Sequence, residues 1–181
     1  MTEETLSRVL LVGFMGAGKS TVGRRVAKEL GWRFVDFDEE IERDLGCSIA
    51  EMFSQGNEQG FRAAEARIGA CLMEASEVVL ASGGGWPAQA SRLVGLSSET
   101  VTIWLQVSAE EAVRRSSGQP GQRPLLEVGD PVNSARKLLG ERSPYYSDAT
   151  WRVDTEGSTV EDVTARILKI LANHHHKISA E

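Results

Sequence analysis

Residues 13 to 20 read Gly13-Phe-Met-Gly16-Ala-Gly18-Lys19-Ser20, an instance of GxxxxGK followed by Ser or Thr. The segment follows the apolar run Val9-Leu10-Leu11-Val12 and opens a stretch in which Val22, Val26 and Leu30 recur at helical spacing up to Gly31, a C-terminal stop signal. A strand, a glycine-rich turn and a helix in that order leave few folds open. Glycines let backbone N–H groups curl around a polyphosphate without a Cβ clash, the lysine reaches the β- and γ-phosphates, and the serine hydroxyl can ligate Mg²⁺. A plain glycine-rich turn would leave Lys19-Ser20 unexplained.

The rest of the chain repeats the alternation. Short β-branched runs at Arg8 to Val12, Arg33 to Phe37, Val78 to Ala81, Val101 to Val107 and Trp151 to Val153 are separated by helical patterns, which predicts a parallel sheet wrapped by helices. Ser48-x-x-Glu51 and Ser108-x-x-Glu111 read as capping boxes that start two of these helices. Right-handed crossovers then bring the strand C-termini, and with them any ligand, to one edge of the sheet.

With 181 residues, 41% of them apolar and 25% charged, the chain is expected to form a single domain with a sizeable core. A net charge of −6 with no basic stripe argues against nucleic acid, so any functional cations must be placed locally for a small anion. Cys47 and Cys71 form no framework and are expected to be small buried groups in a reducing compartment. Met1-Thr-Glu-Glu lacks a basic leader, and no apolar run is long enough to span a bilayer, so a soluble cytoplasmic protein without a membrane partner is expected. Ser116 to Pro124 breaks the apolar periodicity with Gly and Pro around Arg123, suggesting a mobile cover over the phosphates, with a flexible surface loop as the alternative. Residues 173–181, including His174 to His176, are expected to be a disordered, solvated tail and are assigned no function.

Further candidates cluster at the predicted ligand edge. Asp36 and Asp38 stand two apart at the end of the second run, where strand alternation would send both carboxylates to one side. Paired acids beside a phosphate site suit a hydrated Mg²⁺ and a substrate hydroxyl; helix capping would explain one acid and not both. Gly83-Gly84-Gly85 follows the third run, as a ligand-facing backbone or as a tight turn. Arg62 and Glu65 lie one helical turn apart, so the acid can fix the guanidinium for a carboxylate, although such pairs are also common on surfaces. Arg142 carries the same two readings.

Together these features resemble the shikimate kinase family, small P-loop kinases of the nucleoside-monophosphate-kinase type. The resemblance runs from Val9 to about Leu171. It rests on GFMGAGKST, Asp36-Phe-Asp38, Ser48-Ile-Ala-Glu-Met-Phe53, Glu58-x-x-Phe61-Arg62-x-x-Glu65, the triple glycine, Arg123-Pro-Leu-Leu and Glu141-Arg142-x-x-x-Tyr146, in the family's order. It implies an α/β fold of three layers, with a central five-stranded parallel sheet and a lid at about 116–126. It implies phosphorylation of the shikimate 3-hydroxyl by ATP with Mg²⁺, by a chain taken to be a monomer. Gly16, Ala17, Gly18, Lys19, Ser20 and Thr21 would wrap the ATP phosphates, with Ser20 on the metal and Asp36 holding a metal-bound water. Asp38 would accept from the ring hydroxyls, Arg62 and Arg142 would grip the shikimate carboxylate, and the Gly84 amide would contact the substrate. Lys19, Asp38 and Arg123 would be catalytic, and Arg115 and Ser158 would lie near the nucleotide.

Where the family usually has a small residue after the glycines, this chain has Trp86-Pro87, expected to narrow or reshape the substrate pocket. The phosphate-binding loop alone would also suit a gluconokinase-type enzyme, but the set of Arg62, Arg142 and Asp38 favours a carboxylated, hydroxylated ring. A nucleotide-binding module without catalysis would be expected to lack Lys19, Asp38 or Arg123, and all three are present.

Overall fold

The computed structural model describes residues 6–89, 92–116 and 130–178. Its centre is a five-stranded all-parallel sheet, β1 (Arg8–Val12), β2 (Arg33–Asp36), β3 (Val78–Ala81), β4 (Thr100–Gln106) and β5 (Trp151–Asp154), in the order β2-β3-β1-β4-β5. Every residue of β1 is buried, as expected of a central strand covered on both faces. Leu10 sits opposite Leu80 on β3 and Thr102 on β4, which fixes the register of the three middle strands.

Helices α1 (Lys19–Leu30), α2 (Phe37–Leu45), α3 (Ile49–Ser54), α4 (Glu58–Leu72), α5 (Ala109–Ser116), α6 (Pro131–Tyr146) and α7 (Val160–Ile178) complete a three-layer α/β/α architecture. α1 packs on α7 and on β2 and β3, whereas α2 pairs with α4 and α5 with α6. α1 ends as its sequence predicts: Gly31 takes a φ of 70°, and the Trp32 N–H reaches back to the Ala27 carbonyl at 2.9 Å. The Ser48/Glu51 capping box starts α3 with both reciprocal bonds present. At Ser108 only half of the second box forms. The Ser108 hydroxyl accepts from the Glu111 N–H at 3.2 Å, while the Glu111 carboxylate turns to Arg114 and Arg115. Among the described residues no helix is long and apolar enough to cross a membrane.

Three sequence expectations are corrected. β2 stops at Asp36 and Phe37 already opens α2, so the acids do not share a strand. Asp36 is the N-cap, accepting from the Asp38 N–H at 3.0 Å, and Asp38 lies in the first helical turn. Capping wins here because Phe37 is driven wholly into the core, which turns the chain at that point. The final helix continues to Ile178, so 173–178 are not a disordered tail; Ala-Asn-His-His-His-Lys contains neither Gly nor Pro to stop it. Cys71 is exposed and Cys47 half-buried beside the small cluster of Ile41, Met52, Phe61, Ala64 and Ile68.

Candidate active site

The loop between β1 and α1 is glycine-dependent at two points that its backbone makes plain. Gly13 has a φ of 141° and a Cβ there would lie 2.4 Å from the Leu105 carbonyl oxygen; Gly16 has a φ of 75° and its Cβ would press on the Ala112 backbone at 2.8 Å. The loop thus wedges between β4 and α5. Lys19 Nζ donates to the Gly13 and Phe14 carbonyls at 2.9 and 3.0 Å, which holds the ammonium at the rim. Gly16, Gly18, Lys19, Ser20 and Thr21 line a cavity of about 460 Å³. Ala17 does not: it is 1% exposed, and its N–H closes a turn onto the Phe14 carbonyl at 3.2 Å.

Ser20 Oγ donates to Asp36 Oδ2 at 2.5 Å, so two hard oxygen donors meet at the cavity floor. Asp38 lines the same cavity. Water reaches Asp38 through the mouth, yet protein packs its other sides. The packing governs its proton affinity, because it replaces most of the solvation shell: burial first, then the Asp36 carboxylate, pushes the Asp38 carboxyl up to about 6, with Lys19 pulling the other way and Glu65 and Glu42 adding to the rise.

Opposite these acids, two arginines from different helices converge. A Cβ built on Gly85 would lie 3.0 Å from Arg62 Nη1 and 3.5 Å from Arg142 Nη2, so both guanidiniums face one point above that residue. Arg62, on α4, is braced by Glu65, whose Oε2 accepts from its Nη1 at 2.8 Å although Glu65 is only 1% exposed. On α6 the wholly buried Tyr146 donates its hydroxyl to the Gly84 carbonyl at 2.5 Å, tying that helix to the glycine loop. Burial pushes the Tyr146 phenol up to about 12, with Arg142 partly offsetting it, so the hydroxyl stays a donor. Gly83 is crowded from above: a Cβ there would meet Glu65 Oε1 at 2.8 Å and Asp38 Oδ1 at 2.9 Å.

At the other end, Arg115 donates through Nη1 to the Gly16 carbonyl at 3.2 Å and to Thr155 Oγ1 at 3.0 Å, joining α5, the phosphate-binding loop and the segment after β5. Ser158 is not brought into the cavity; its hydroxyl accepts from Arg166 Nη2 at 2.5 Å on the outer side of α7's start. Arg123 and most of the expected lid lie outside the described residues. Trp86 does not narrow the pocket. It is 3% exposed beneath the glycine loop, with its ring edge-on to Phe37 at 5.2 Å.

Comparison with known proteins decides the family. The shikimate kinase family model matches residues 15–172. A shikimate kinase of Synechococcus sp. (strain RCC307) is 42% identical over 91% of this chain and 84% of its own length. The structure of the shikimate kinase from Acinetobacter baumannii in complex with shikimate superposes with a TM-score of 0.87 at 37% identity, covering 94% of this chain and 95% of that one. This chain belongs to the shikimate kinase family. It is accordingly an ATP-dependent kinase, a phosphotransferase acting on an alcohol. A gluconokinase from Sinorhizobium meliloti, at 19% identity and a TM-score of 0.64, shares the fold alone.

Within this shikimate kinase fold, five contributing residues escaped sequence reasoning. Ile49, Phe53 and Phe61 give the cavity an apolar wall, and all three sit in the motifs that carry the resemblance, where helical periodicity assigns them to the core. Thr155 is 3% exposed and receives Arg115 while donating to the Gln106 carbonyl at 2.9 Å; no local signal marks it. Gln89 contacts Glu65 from beyond the glycine loop, a pairing across 24 positions that spacing rules do not reach.

Proposed function

We propose that this protein transfers the γ-phosphoryl of ATP to the 3-hydroxyl of shikimate, giving 3-phosphoshikimate and ADP on the route to chorismate and the aromatic amino acids. The observation that carries the reading is the convergence of Arg62 and Arg142 on Gly85 inside the cavity that also holds Lys19 and Asp38. Two guanidiniums on one point suit a carboxylate, since each can give it charge-assisted hydrogen bonds. Asp38, on the opposite side of the cavity, would accept from a ring hydroxyl, and the walls of Ile49, Phe53 and Phe61 suit a carbocycle's apolar faces.

Catalysis in this reading is positioning plus charge stabilisation. The amides of Gly16 and of Gly18 to Thr21, which line the cavity, cradle the phosphates, and Lys19 exchanges its carbonyl partners for phosphate oxygens, which are stronger acceptors. Asp38 orients the hydroxyl and can take its proton. Arg115 lines the nucleotide end of the cavity, and the family resemblance assigns the transferring group to Arg123, which lies outside the described residues. The Ser20 and Asp36 oxygens fit Mg²⁺, an ion that prefers few protein ligands and keeps several waters. Held there, the ion would supply positive charge to offset the negative charge of the phosphates.

ADP release with a panel of shikimate, quinate, gluconate and nucleoside monophosphates tests the assignment. Shikimate alone is expected to support fast turnover; comparable kcat/KM with gluconate or a nucleotide would replace the proposed acceptor.

A further inference from the structure

The chain's departure after the triple glycine, Trp86-Pro87, begins a short 3-10 turn, Trp86–Ala88, that delivers Gln89 to the back of Glu65. Glu65 is a nearly inaccessible carboxylate, and burying such a group is costly unless donors face it. Its Oε2 receives two, Arg62 Nη1 and Gln89 Nε2, while Oε1 is buried with no partner among the described residues. Of these donors only Gln89 is placed to fix the carboxylate independently of the arginine that it braces.

The Gln89 amide cannot turn over. Its Oε1 accepts from Arg92 Nη2 at 3.1 Å, and a guanidinium has no acceptor. A flipped amide would set N–H against guanidinium and carbonyl against carboxylate. Arg92 is in turn held over the Trp86 ring at 5.1 Å, and Trp86 is locked edge-on against Phe37 at 82°. A relay therefore runs from the buried Trp86 through Arg92, Gln89 and Glu65 to Arg62.

We propose that Gln89 is a positioning residue for acceptor binding: acting through Glu65, it fixes the guanidinium of Arg62 in the pose that faces Gly85. The proposal rests on the reading of Arg62 as a grip on the shikimate carboxylate. Without the amide, the Glu65 carboxylate is held only by the arginine it braces, and Arg62, whose side chain is 31% exposed and whose other carboxylate contact is the long one to the exposed Glu58 at 3.4 Å, is less firmly posed. Phosphoryl transfer itself does not pass through this relay, so the effect falls on shikimate affinity and not on the chemical step.

The test is Gln89→Met, which keeps length and removes both hydrogen bonds, with Gln89→Glu, which keeps the acceptor toward Arg92 but opposes a second carboxylate to Glu65. Calorimetry with shikimate and with ATP, and steady-state kinetics, are run on each variant in the parent and in an Arg62→Ala background. Gln89→Met is expected to raise the shikimate Kd and KM about fivefold to thirtyfold, the loss of a hydrogen bond to a charged group, with kcat and ATP affinity within about twofold. Gln89→Glu is expected to lose more, and neither change is expected to weaken binding further once Arg62 is alanine. If Arg62→Ala weakens shikimate binding and Gln89→Met does not, or if Gln89→Met weakens it equally in both backgrounds, the relay is overturned while the arginine grip stands. Should Arg62→Ala itself bind shikimate like the parent, the grip has failed and the relay with it. Thermal unfolding monitors folding, and if Gln89→Met is unfolded, Gln89→Glu carries the same comparison.

Discussion

Replacing Gly85 with alanine separates acceptor binding from folding. Gly85 has φ −95° and ψ −12°, a conformation any residue adopts, so the added methyl strains no backbone. Its Cβ would lie 3.0 Å from Arg62 Nη1, 3.6 Å from Arg62 Nη2 and 3.5 Å from Arg142 Nη2, which is the space a carboxylate oxygen needs in order to bridge the two guanidiniums. The methyl and the carboxylate cannot both occupy it. Losing one charge-assisted pair costs about 1.5 to 3 kcal/mol, so shikimate affinity is expected to fall roughly 10- to 150-fold, and more than about 100-fold if both pairs are lost. Folding is expected to be nearly unchanged: the alanine restricts the unfolded chain slightly, and the unfolding midpoint should move by no more than about 3 °C. Calorimetry with shikimate, with ATP as the control and a thermal melt beside it, measures each quantity separately. A shikimate Kd within about threefold of the parent, with the arginines in place, would show that the two guanidiniums do not receive a carboxylate over Gly85.

Other expectations follow from the same geometry. Lys19→Met should abolish phosphoryl transfer in an ADP-release assay while the melt is preserved, because the ammonium faces the cavity rim and not the core. With the Asp38 carboxyl at about 6, kcat/KM for shikimate should fall as pH drops below that value and protonates it, and Asp38→Asn should cut kcat more than ATP affinity. The same raised value means that the native state binds more protons than the unfolded chain between the ordinary carboxyl value and about 6, so stability declines as pH rises through that window. Asp38→Asn should therefore melt higher than the parent at pH 7 to 8, by about 1 kcal/mol after allowance for water at the cavity mouth, with the difference vanishing near pH 4. Gly69→Ala should destabilise by about 1 to 3 kcal/mol in denaturant titrations, since its Cβ would lie 2.3 Å from Trp86 Nε1 and 3.1 Å from the Phe37 ring, both immobile in the core.

The parts of this protein that were legible in its sequence are those that local rules govern. The Gly13 to Ser20 loop, the buried strand β1, the Gly31 stop and the Ser48/Glu51 box depend on residues within a few positions of one another; among the described residues that the family's motifs nominate, most line one cavity, but Ala17 and Ser158 do not. Tertiary packing decided the rest. Burial of Phe37 ended β2 one residue early and put Asp38 in a helical turn, overriding a strand alternation that the sequence permitted equally well. Whether Arg62 and Arg142 were surface charges or partners could not be read from their spacing, because they lie on α4 and α6 and meet only where both helices dock on the glycine loop. For the same reason Trp86 became a buried support and not a pocket wall, and Thr155 and not Ser158 came to meet Arg115. Helical and strand periods reach three or four residues along the chain; contacts across 24 or 40 positions arise from the docking of whole elements, and only the folded structure settles which side chains that docking brings together.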